Sequence, residues 1–104
     1  MSTPPVKDPE ACETMSEVRA GVDALDRELV ALLDRRFGYM RAAARIKGTR
    51  EAVRDEERKA SVIAAAVAEA EARGIPAEVV ADIWERLVEG SIAYEFTEWD
   101  RIRA

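Results

Sequence analysis

From Thr14 to Gly48 the chain holds one unbroken helical pattern, and nothing else in the sequence constrains the fold as much. Val18, Val22, Leu25, Leu29 and Leu32 recur at steps of four and three, and the stripe runs on through Phe37, Met40, Ala43 and Ile46. That is the spacing of one helix face. No proline interrupts it, and only Gly21 and Gly38 weaken it. Thr14-Met-Ser-Glu17 has the form of a capping box, with Thr14 as N-cap and Glu17 reaching back three residues later. The pattern predicts a helix of about 33 residues, roughly 50 Å long at 1.5 Å per residue. A globule of 104 residues has a radius of gyration of only about 13 Å. The rest of the chain is too short to cover such a rod, so the pattern predicts an obligate homodimer whose long helices pack on each other.

Two shorter helices follow. Gly48-Thr-Arg-Glu-Ala-Val53 reads as a loop, and a second helix of about 18 residues starts near Asp55 and stops at Arg73-Gly74, with the glycine as its C-terminal cap. Pro76 suits the first turn of a third helix, which shows Val79, Val80, Ile83, Leu87, Ile92 and Trp99 and reaches Ile102. The second helix is rich in alanine (Ala64, Ala65, Ala66, Ala68, Ala70, Ala72), which permits close packing. Residues 1–13 carry Pro4, Pro5 and Pro9 with little apolar content and read as a flexible lead-in to one helical domain over residues 14–104. With 36% charged and 48% hydrophobic residues but only five glycines and four prolines, the palette favours helix over strand. The expected class is all-α, one long helix and two shorter ones.

Composition also limits the chemistry. The net charge of −5 disfavours general attraction to nucleic acid or to an acidic membrane. The chain has no histidine, which removes the commonest general base, the histidine-activated nucleophiles and most zinc sites. Cys12 is the one cysteine; it lies in the polar N-terminal segment and forms no internal disulfide. No apolar run is long enough to span a membrane, and residues 1–13 have no apolar core of the kind a secretory signal needs. The expectation is a cytoplasmic protein that uses no metal or cofactor.

A few charged residues sit awkwardly on a plain helical bundle. Arg36 falls where the stripe 18-22-25-29-32 calls for an apolar residue. Lys47 is eleven residues later, about 20° past three full turns, so the two share a face at a separation of about 16 Å along the axis, room for a small dianion. Arg19 lies about 100° around the helix from Arg36 and suits a site completed by a dimer mate. The same residues also fit an arginine-rich solvated face, as Arg35, Arg41 and Arg45 do. Asp55 and Arg58 read as a capped helix start with a weak ion pair. Ser91 and Glu95, at i and i+4, taken alone read as a polar helix face.

Together these positions resemble the all-helical chorismate mutase family, including its isochorismate-pyruvate lyase branch. The resemblance is carried by Glu17-Val-Arg-Ala-Gly-Val-Asp-Ala-Leu-Asp-Arg-Glu-Leu-Val-Ala-Leu-Leu-Asp-Arg-Arg36, by Ala42-Ala-Ala-Arg-Ile-Lys47, by Val53-Arg-Asp-Glu-Glu-Arg58 and by Ser91-Ile-Ala-Tyr-Glu95. It implies an intertwined dimer with two sites. Arg19 would grip a substrate carboxylate in the partner's site, Arg36 would bind the second carboxylate from its own chain, and Arg58 would support the substrate's charge. Lys47 would donate to the ether oxygen of the breaking C–O bond, while Asp55 and Ser91 would contact the ring hydroxyl or a carboxylate. The reaction it implies is intramolecular and needs neither nucleophile nor base.

Two positions depart from the family's commonest pattern. Glu95 stands where many members have glutamine; a carboxylate there opposes the developing negative charge and helps only when protonated, so activity is expected to rise towards acid pH. Lys59 stands where mutases often place a glutamate that contacts the ring hydroxyl, and the lyase branch also lacks that glutamate. The stretches Pro9-Glu-Ala-Cys12 and Arg35–Lys47 look closer to the lyase branch, and Val53-Arg-Asp55 looks closer to the mutases. The resemblance thus implies chorismate mutase first and isochorismate-pyruvate lyase second. A helical dimerisation module that kept the fold and lost the chemistry is the alternative of another class.

Overall fold

The computed structural model describes residues 6–104, and every regular element among them is helical, with no strand. Three α-helices follow in order: α1 (Met15–Ile46), α2 (Glu56–Arg73) and α3 (Ala77–Ile102), with short 3-10 turns at Pro9–Ala11 and Arg50–Val53. The expected helices are all present. The stretch read as a loop after Gly48 is partly the second 3-10 turn, and Pro76 caps α3 from outside rather than opening it. Of the N-terminal lead-in, residues 1–5 lie outside the described residues.

The chain forms two compact units, one ending at Arg36 and one spanning Phe37–Ala104. In the first, the capping box is formed as its residues dictate. The Glu17 N–H donates to Thr14 Oγ1 at 3.2 Å, and Glu17 Oε1 accepts from the Thr14 N–H at 3.1 Å and the Glu13 N–H at 2.9 Å. Lys7 closes an ion pair with the same carboxylate. The Lys7 ammonium and the Glu13 N–H hold the Glu17 carboxyl at about 2, below the usual 4.5. An apolar cleft of about 310 Å³ lies between Val6–Cys12 and the α1 face that holds Val18, Val22 and Leu25. Along that helix Val22, Leu25, Leu29 and Leu32 remain 51–58% exposed.

In the second unit α2 and α3 pack side by side, and the turn at Arg50–Val53 packs on α3. Val53, Val88 and Ile92 form the core, ringed by Val62, Ile63, Trp84, Phe96 and Trp99. Of the seven α2 alanines only Ala70 is buried, and the helix meets the core through Val62 and Ile63 instead. Asp55 caps α2, its Oδ1 accepting from the Arg58 N–H at 3.0 Å. Gly74 ends it at φ 70, its N–H donating back to Ala70 and Glu71, a left-handed turn that glycine adopts without the Cβ clash of other residues.

Candidate active site

The second unit brings Lys47 and Glu95 together across 48 residues of sequence. Lys47 follows directly on α1, while α3 presents Ser91 and Glu95 one turn apart on one face. That face is turned inward: Ser91 is 3% and Glu95 4% exposed, so the solvated polar face expected of these two residues taken alone does not exist. Lys47 Nζ donates to Glu95 Oε2 at 2.8 Å and reaches the Val53 carbonyl at 3.4 Å. Ser91 Oγ donates to the Leu87 carbonyl at 2.7 Å, the back-bonding habit of a helical serine. Among the described residues no buried side-chain nitrogen or oxygen lacks a partner, as a buried polar group requires. A charged carboxylate this deep is tolerable because the ammonium meets it.

The segment holding Val53 is fastened to α3 at both ends. Before it, Arg50 donates to both oxygens of Asp100, at 2.9 and 3.2 Å, with its guanidinium 4.5 Å from the Phe96 ring centre. After it, Arg54 donates to both oxygens of Glu89, at 3.1 and 3.0 Å, and to Glu56 at 2.8 Å. Two-pronged pairs of this kind fix geometry as well as charge. Lys59, noted in the sequence as a departure, pairs with Glu85 at 2.8 Å and Glu89 at 3.0 Å. It therefore serves the α2–α3 seam and gives the site no carboxylate.

The Arg54 guanidinium, followed by the Lys59 ammonium, holds the Glu89 carboxyl at about 2, below its usual 4.5. A lowered folded-state pKa contributes stability that is complete above the unfolded value and disappears as pH falls through the folded one. Glu89→Gln is therefore expected to lower the melting temperature most above about pH 5. The gap from the unaltered protein should close as the pH approaches 2. A gap that stays constant from pH 7 to pH 2 in thermal melts would contradict this role.

The remaining candidates are distributed. Arg19 is exposed on α1 in the first unit, and Arg36, half-buried, is the last residue of that unit. Asp55 spends one oxygen as the α2 cap, and Arg58 is exposed in the first turn of α2. Arg41 is exposed, as expected of a surface cation, but also donates to the Tyr94 hydroxyl at 3.0 Å; Tyr94 in turn meets Phe37 edge-on. Sequence reasoning missed Arg50, Arg54 and Glu89. Their partners lie 35 to 50 residues away, beyond the reach of any local pattern.

The chain belongs to the chorismate mutase type II family, whose sequence model matches residues 18–96. It is 30% identical over 98 residues to the isochorismate pyruvate lyase of Pseudomonas aeruginosa, across 94% of this chain and 97% of that protein. Both place it among the enzymes of that family. No helix among the described residues is long and apolar enough to cross a membrane.

Proposed function

We propose that this chain is a chorismate mutase that works as a homodimer, converting chorismate to prephenate in the cytoplasm for aromatic amino-acid synthesis. The observation that supports this best is the Lys47 ammonium, held 2.8 Å from buried Glu95 in a chain without histidine. The rearrangement breaks the ether C–O bond and forms a C–C bond between the enolpyruvyl terminus and the ring, and no atom enters or leaves. What it asks of a protein is a held substrate geometry and positive charge where the ether oxygen gains electron density. Lys47 donates to that oxygen. Arg36 binds one carboxylate, Arg19 of the partner subunit binds the other, and Arg58 supports the substrate's charge. Asp55, through its backbone or side chain, and Ser91 contact the ring hydroxyl or a carboxylate. Glu95 assists when protonated. Planar guanidinium groups suit this work because each meets a carboxylate through two parallel hydrogen bonds.

The second reading is isochorismate-pyruvate lyase, yielding salicylate and pyruvate. Two observations favour it: the Pseudomonas relative aligns over nearly its full length, and Lys59 is committed to Glu85 and Glu89 where mutases often place a glutamate.

Turnover of the purified protein on chorismate and isochorismate, side by side from pH 5 to pH 8, separates the two. Faster formation of prephenate supports the mutase, with a rate that rises towards acid pH and a flatter profile in Glu95→Gln. Faster release of salicylate and pyruvate assigns the chain to the lyase reaction. Identical profiles in the two proteins remove Glu95 from the chemistry, and inactivity on both substrates leaves a helical dimerisation module.

A further inference from the structure

Helix α1 ends without a glycine cap. Gly74 is the one described glycine with positive φ, so Gly48, two residues past the end of α1, does not turn back to satisfy the last carbonyls as Gly74 does for α2. A helix leaves its final four carbonyls without partners inside the helix, and here one of them, that of Ala44, and the Lys47 carbonyl just past the helix are met from the far end of the chain. Arg103 Nη1 donates to the Ala44 carbonyl at 3.0 Å and Nη2 to the Lys47 carbonyl at 2.8 Å. Trp99 Nε1 donates to the same Lys47 carbonyl at 3.0 Å. The Arg103 guanidinium lies 4.2 Å from the Trp99 ring centre, so each of these side chains holds the other in place. On its other side the Lys47 N–H donates to the Ala43 carbonyl at 2.9 Å. A guanidinium at a helix C-terminus also meets the negative end of the helix dipole.

We propose that Trp99 and Arg103 form a latch that positions Lys47 for the reaction, an inference that rests on the reading of Lys47 as the donor to the ether oxygen. The lysine side chain has a long flexible stem, and its root lies one residue beyond the helix, where backbones fray. Pinning its carbonyl with two donors fixes the Cα from which the ammonium must reach Glu95 and the substrate. Displacement of a reacting group by about 1 Å can cost on the order of 10²-fold in rate. The carboxylate-binding arginines lie elsewhere, so the latch should govern kcat rather than KM.

The test uses the full-length protein with Trp99→Phe, which keeps the ring and loses one donor, and Arg103→Ala, with Arg103→Lys as the conservative partner. Far-ultraviolet circular dichroism checks that each remains helical. The expected result is a kcat reduced about 5- to 50-fold with KM within about twofold, partly restored by Arg103→Lys. In a Lys47→Ala background the latch variants should produce no further loss, because groups acting through one residue are not additive. Unchanged turnover in Lys47→Ala overturns the reading of Lys47, and the latch with it. A large Lys47→Ala effect beside unchanged kcat in both Trp99→Phe and Arg103→Ala overturns the latch alone. So does a latch effect that persists undiminished in the Lys47→Ala background, which would mark Trp99 and Arg103 as glue between helices. If Arg103→Ala fails to fold, Trp99→Phe decides by itself.

Discussion

Lys47→Ala is expected to lower kcat about 10²- to 10³-fold, the loss seen when one preorganised donor to a developing oxyanion is removed. Its ammonium is fixed on a short path, 2.8 Å from Glu95 and 3.4 Å from the Val53 carbonyl, and the Lys47 side chain is 30% exposed while that of Glu95 is 5% exposed. The truncation therefore has a second consequence. It leaves a buried carboxylate without its cation, which costs about 3–5 kcal/mol of stability. The two effects separate in the double variant Lys47→Ala/Glu95→Gln. Replacing the stranded carboxylate by a neutral amide should recover most of the melting temperature and none of the mutase rate. If the double variant recovers both, the lysine is a structural counter-ion and its proposed role is wrong.

Charging the first helix should have an effect of similar size by another route. Leu25→Asp/Leu29→Asp puts two carboxylates on an apolar stripe whose leucines are 51–57% exposed. Covering half of a leucine is worth on the order of 1 kcal/mol, so the stripe favours a second copy, and two carboxylates forced into that contact oppose it. Light scattering at micromolar concentration should give twice the chain mass for the unaltered protein and the chain mass for the variant. Turnover should fall with it, because Arg19 is proposed to serve the partner's site. Losing its two charge-assisted bonds to a carboxylate, each about 1.5–3 kcal/mol, corresponds to on the order of 10²-fold or more. A monomeric unaltered protein would sink the dimer. A monomeric variant with full activity would keep the dimer and remove Arg19 from the chemistry.

Much of the fold was legible because its signals are local. The i, i+3, i+4 stripe gave α1, and the capping boundaries of α1 and α2 fall where Thr14, Glu17, Asp55 and Gly74 place them. A cap is decided by one side chain or one φ within a turn of the helix end. The site was legible to a lesser degree. Lys47 and Glu95 entered through a family resemblance spread over three helices, and taken by itself Glu95 read as a polar surface residue.

The sequence by itself determined the all-helical class, the helix boundaries to within a residue or two, the exclusion of histidine chemistry and the family. Only the tertiary structure decided that Ser91 and Glu95 face inward and that Lys59 belongs to a seam of ion pairs with Glu85 and Glu89. It also decided that the end of α1 is capped by Trp99 and Arg103, more than fifty residues away. The physical reason is one of range. Periodicity and capping act over one or two turns, whereas the pairing of a buried charge depends on which helix faces meet, and no local spacing encodes that.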